Sequence, residues 1–167
     1  PEYFLTSAVA QSAGRYESTN ALLEVNVDST RREAGASRRG RAASHERRNG
    51  RFAVVVYWAT GTPRAAVEVK SPIGSASENL IAPDIDRLSS SLAVSKESSL
   101  QFGVFLFYAS VSQPQRKHES SEHRLQELLD RIEQKAKERA TSHGANAIPV
   151  RGSIHTEGEE GAWVISS

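Results

Sequence analysis

The chain has 167 residues, 38% of them hydrophobic and 25% charged, which is the composition of one globular domain with its own core and excludes a disordered chain. It contains no cysteine, so disulfides and thiolate zinc centres are excluded and a cytoplasmic protein is expected. The net charge of +1 hides an asymmetry: residues 31 to 51 hold eight arginines against Glu33 and Glu46, a net of +6, which leaves −5 for the rest.

Glu2 to Ala13 places Phe4, Leu5, Ala8 and Val9 at helical spacing and predicts a short amphipathic helix. Ala21 to Val27 is rich in β-formers and predicts a strand. Asp28 to Gly50 is poor in apolar residues and rich in Arg, Gly, Ser and Ala, the pattern of a long loop or insert. Phe52 to Trp58 and Ala65 to Lys70 read as strands joined by the turn Thr60-Gly-Thr-Pro63, hence as a hairpin.

Ile81, Ile85, Leu88 and Leu92 repeat as one helix face, with Pro83 suited to its first turn. Leu100 to Ala109 is almost wholly apolar, the pattern of a central strand buried on both faces, and Trp58 and the aromatics of Phe102 to Tyr108 read as core. Ser120 to Ala140 carries the stripe Leu125, Leu128, Leu129, Ile132 and Ala136, and predicts the clearest helix. Weaker strands are expected at Ala147 to Ile154 and Ala162 to Ser166, around the acidic turn Glu157 to Gly161. No apolar run reaches the ~20 residues of a membrane span, so no membrane partner is expected.

The charged pair Glu68 and Lys70 interrupts an apolar strand. Residues two apart on a strand share a face, and charges inside an apolar strand are rare unless paired or used. The pair therefore reads either as a strand salt bridge or as part of a site that holds a cation beside a water molecule. Asp84 and Asp86 suit the positive end of the following helix, and Arg87 reads as a brace for Asp84 rather than a phosphate contact. The five histidines show no metal-ligand spacing.

Arg51-Phe-x-Val-Val-Val-Tyr-Trp, then Pro63-Arg-Ala-Ala-Val-Glu-Val-Lys, then Ile85-Asp-Arg-Leu resembles the core of the PD-(D/E)XK nuclease superfamily, over about residues 3 to 140. That resemblance implies a single α/β domain over residues 1–167 with a restriction-endonuclease-like αβββαβ core, a central mixed sheet flanked by helices, and an Arg-rich insert at 28–50. It implies a Mg²⁺ or Mn²⁺ ion held by Glu68 and by an acidic residue on the preceding strand, with Lys70 positioning water or phosphate. Such an ion neutralises charge that develops on phosphate oxygens and lowers the pKa of its bound water.

The chain departs from the pattern at the second ligand, for which the resemblance points to position 53, where this sequence has Ala53. Weak metal binding and impaired DNA hydrolysis are the consequence. Glu24, on the first strand, is a further carboxylate that could join the site or simply face solvent. Arg31, Arg32, Arg38, Arg39, Arg41, Arg47, Arg48 and Arg51 suit bidentate phosphate contacts, which makes DNA the expected partner. The alternative is a nuclease-like fold that binds nucleic acid without cutting. A third reading has the fold only present a surface for a protein partner. A homodimer is left open.

Overall fold

The computed structural model describes residues 2–36, 50–74, 77–93, 97–111, 120–152 and 160–166. Among these, four α-helices, α1 Glu2–Ala13, α2 Val27–Glu33, α3 Ala82–Leu92 and α4 Ser121–Ser142, accompany six strands. The strands are β1 Thr19–Asn26, β2 Arg51–Trp58, β3 Pro63–Ile73, β4 Phe102–Ala109, β5 Asn146–Arg151 and β6 Glu160–Ser166. They form one sheet in the order β1-β2-β3-β4-β6-β5. Every neighbouring pair is antiparallel except β3 and β4, which are parallel. A parallel pair cannot be joined by a tight hairpin and needs a crossover, which α3 provides. The result is the α/β class expected from the sequence: a mixed sheet with helices on its faces.

The two faces differ. On one, α3 and α4 lay Ile85, Leu88, Leu128 and Ile132 against Phe52, Val55, Phe105 and Phe107, all of them buried. Each such side chain contributes roughly 1.5–3 kcal/mol by leaving water. Helix α4 starts at Ser120, whose hydroxyl caps the His123 N–H at 3.1 Å, and its predicted stripe is the buried one. Helix α3 lies unusually close to β4. A Cβ on Gly103 would stand 3.3 Å from Leu88 Cδ2 and 3.4 Å from Leu92 Cδ1, so any larger residue would push on both leucines.

On the other face α1 packs Leu5, Val9 and Ala10 against Val54, Val67 and Val69. Beyond α1 lies an open, mostly apolar cleft of about 450 Å³, lined among others by Tyr16, Arg64, Phe102, Val104 and Leu106. Strand β4 accordingly alternates: Gly103, Phe105, Phe107 and Ala109 are buried, while Phe102, Val104, Leu106 and Tyr108 are only half-buried. The expectation of a strand buried on both faces is corrected by this, and so is the placing of all its aromatics in the core. Trp58 is likewise half-buried, with the Arg64 guanidinium 4.0 Å above its ring. Periodicity could not separate these states, because Val104 and Leu106 are as apolar as their buried neighbours.

Two further expectations change. The loop expected from Asp28 begins instead with a helix, α2, capped by Asn26, whose side chain accepts from Ser29 N–H. Asp28 in its first turn and Arg31 and Arg32 in its last suit the helix dipole, and Val27 and Thr30 are buried. In α1, Phe4 points outward and is 76% exposed, although the helix itself is where its spacing put it.

Candidate functional site

Glu68 and Lys70 share the face of β3 that looks toward α3. Helix α3 begins with Pro83 and Asp84 in its first turn, and Arg87 follows one turn on. Residues three apart on a helix are neighbours, so Asp84 and Arg87 present one acid and one base to the strand together. Arg87 Nε donates to Glu68 Oε1 at 2.6 Å, and its Nη2 forms an ion pair with Asp84 Oδ1. Lys70 Nζ stands 3.2 Å from Asp84 Oδ2. That oxygen is buried and accepts no hydrogen bond, so the Lys70 contact is one of charge only.

The two acids are deep and the two bases shallower. Glu68 and Asp84 are 5% and 6% exposed, whereas the Lys70 side chain is 36% exposed. Burial pushes the Glu68 carboxyl up to about 8 against the pull of Arg87, with Asp84 adding to the rise and Lys70 opposing it. Arg87 and Lys70 are the cations of the cluster, and of the two Lys70 is the one that reaches further into solvent.

The Arg-rich segment starts beside this cluster. Arg31 donates from Nε to Ser91 Oγ at 2.9 Å and from Nη2 to Ser90 Oγ at 2.7 Å. Both serine hydroxyls in turn donate to the Arg87 carbonyl, at 2.6 and 3.2 Å. The far end of the segment is held too, because Val27 N–H donates to Gly50 C=O at 3.0 Å. Strand β2 runs antiparallel to β3 with Val54 opposite Val67 and Val55 opposite Ala66. The Arg51 end of β2 thus lies alongside the Lys70 end of β3.

Of the residues singled out from sequence, Glu68 and Lys70 come together and Ala53 does not join them. Ala53 and Val54, although consecutive, both pack on the α1 side with Val67 and Val69. The alternation of β2 is broken there, so position 53 faces away from Glu68, and its expected place beside Glu68 is corrected. The same irregularity appears across the ladder. Leu23 pairs with Val54 and Val25 with Phe52, while Glu24 between them has φ 54° and is exposed. Glu24 lies two strands away from Glu68 and takes no part in the cluster. Arg32 and Arg51 are exposed and Arg31 is half-buried, whereas Arg38, Arg39, Arg41, Arg47 and Arg48 lie outside the described residues.

Sequence reasoning missed Asp84 and Arg87 as site residues. The expected brace between them exists, but it extends to Glu68, and only the crossover from β3 to α3 brings the two motifs together. Tyr57 donates instead to Glu33 at 3.2 Å, and burial, with Glu33 adding to it, raises its phenol.

The residues were tested against a divalent cation. Mg²⁺ is commonly bound through one or two carboxylates plus waters, so Glu68 and Asp84 would suffice in number. As arranged they do not fit. A guanidinium already bridges them, and no group of three acids or histidines forms among the described residues. Compared with known proteins, the chain matches no family, no curated protein and no solved structure. No helix among the described residues is long and apolar enough to cross a membrane.

Proposed function

We propose that this chain is a nucleic-acid-binding module built on a restriction-endonuclease-like αβββαβ core, which grips DNA without cutting it. The observation that carries the reading is positional. Both anchored ends of the eight-arginine segment meet the sheet end where Lys70 and Arg87 lie. Net positive charge, +6 over residues 31 to 51, neutralises backbone phosphates and releases their counterions. Arg51 and Arg32, being exposed, contact phosphate directly, and Lys70 adds a point charge between them and α3.

Fluorescence anisotropy of labelled double- and single-stranded oligonucleotides tests this. Raising salt from 50 to 200 mM should weaken binding by about 10²-fold if some four phosphates are contacted. Arg51→Ala and Lys70→Ala should each lower the salt slope by about one, and Glu68→Ala should leave binding in place. Absence of binding at low salt, or binding indifferent to salt, overturns the reading.

Mg²⁺-dependent hydrolysis of DNA is the second reading, favoured by the arrival of Asp84 as a second carboxylate beside Glu68 and Lys70. Nicking of plasmid or shortening of single-stranded DNA by the purified chain with Mg²⁺ or Mn²⁺, lost in Glu68→Gln, would put this reading first.

A further inference from the structure

We propose that Arg87 is a built-in cation: its guanidinium occupies the position between Glu68 and Asp84 that a divalent ion would take, closing a latent cation site and making the module's grip on phosphate independent of metal.

Three observations meet here. First, one guanidinium contacts both carboxylates through different nitrogens, Nε to Glu68 and Nη2 to Asp84, so a single positive group lies between two acids from different elements. Second, Asp84 Oδ2 is buried, accepts no hydrogen bond and is met only by the charge of Lys70 at 3.2 Å. A buried carboxylate oxygen without a hydrogen bond calls for an explanation, and a latent ligand position is one. Third, the main chain that carries Arg87 is braced, because the hydroxyls of Ser90 and Ser91 both donate to its carbonyl and Arg31 ties those serines to α2. The turn of α3 from which the guanidinium reaches out is thus held by contacts that do not involve the two acids.

The chemistry of the exchange is simple. A guanidinium brings one positive charge and directional donors but no coordination sphere, so it can bridge two acids, with Lys70 supplying a second charge, and cannot activate a water molecule. Both carboxylates stay within the fold without a metal. The positive group left facing outward is Lys70, which suits it to a phosphate oxygen. The inference deepens the nucleic-acid-binding reading and rests on it for its biological meaning. The cation titration below uses no DNA, so either can fail alone.

The test is isothermal titration of Mn²⁺ into the wild-type chain, Arg87→Gln and Arg87→Gln/Asp84→Asn, with circular dichroism to establish folding. The wild type should show no binding at millimolar Mn²⁺. Arg87→Gln should bind at least ~10-fold more tightly than wild type, a difference of about 1.4 kcal/mol, and the added Asp84→Asn should abolish the gain. Arg87→Lys, which keeps the charge, should bind Mn²⁺ as poorly as wild type, and it serves if the glutamine variant does not fold. Oligonucleotide binding by the wild type should persist in EDTA, and Mg²⁺ should weaken it only as a competing salt does. Mn²⁺ binding by the wild type that Asp84→Asn removes, a folded Arg87→Gln that gains nothing, or DNA binding lost in EDTA would each overturn the proposal.

Discussion

The two faces of the sheet use the same kinds of residue to different ends. Under α3 and α4 the apolar side chains are closed off from water, and at their edge Glu68, Lys70, Asp84 and Arg87 meet in one ion cluster. Under α1 the strands are just as apolar, yet the cover stops short and leaves a cleft in which a single arginine lies on an aromatic ring. Buried ion pairs rarely add stability over an apolar core, and removing one partner is costly because it strands the other. The ion cluster therefore belongs on the closed face, where helix packing holds its geometry. The open face leaves its cleft lined by half-buried side chains such as Phe102, Val104 and Leu106.

Truncating the closed face should cost most. Phe105→Ala, on the buried side of β4, is expected to destabilise by about 4 kcal/mol, read as a shift of the urea midpoint. Arg87→Ala should follow at about 3 kcal/mol near pH 9, where Glu68 is ionised and left without its partner. Its cost should shrink toward pH 5, and equal costs at both pH values would remove the buried acid from the argument. Gly103→Val, pushing side-chain atoms into Leu88 and Leu92, should cost about 2 kcal/mol.

The pH profile sharpens the comparison further. The Glu68 carboxyl is raised from 4.5 to about 8 in the folded chain, so the native state holds the proton more tightly than the unfolded one. Its contribution to stability is complete below pH 4.5 and is lost as pH rises through about 8. Thermal unfolding of Glu68→Gln should show a flatter profile across that window than wild type. The smallest effect belongs to the open face: Leu5→Ala, half-buried on α1 against the sheet, should cost under ~1 kcal/mol. A loss as large as that of Phe105→Ala would mean that the faces are not different in kind.

Much of this was legible in the sequence because it depends on short-range pattern. The α4 stripe, the β2–β3 hairpin around Gly61, and the shared face of Glu68 and Lys70 all follow from periods of 3.6 and 2. Helix α2 was readable as well, from Asn26, Asp28 and the paired arginines, but the surrounding run of polar residues masked it. The break of alternation at Ala53 and Val54 was not readable. It depends on Glu24 adopting a left-handed conformation across the ladder, which no residue type there demands. The meeting of Asp84 and Arg87 with Glu68 was hidden for a different reason. Contact across a crossover depends on how far the helix stands from the sheet, and apolar spacing alone does not give that distance.

Part of that distance comes from a residue with no side chain. Gly103 leaves room for Leu88, the residue next to Arg87, to lie against β4; a methyl there would meet Leu88 Cδ2 at 3.3 Å, and the leucine or the helix would have to give by a few tenths of an ångström. A shift passed on to α3 would reach Arg87 and its contact with Glu68.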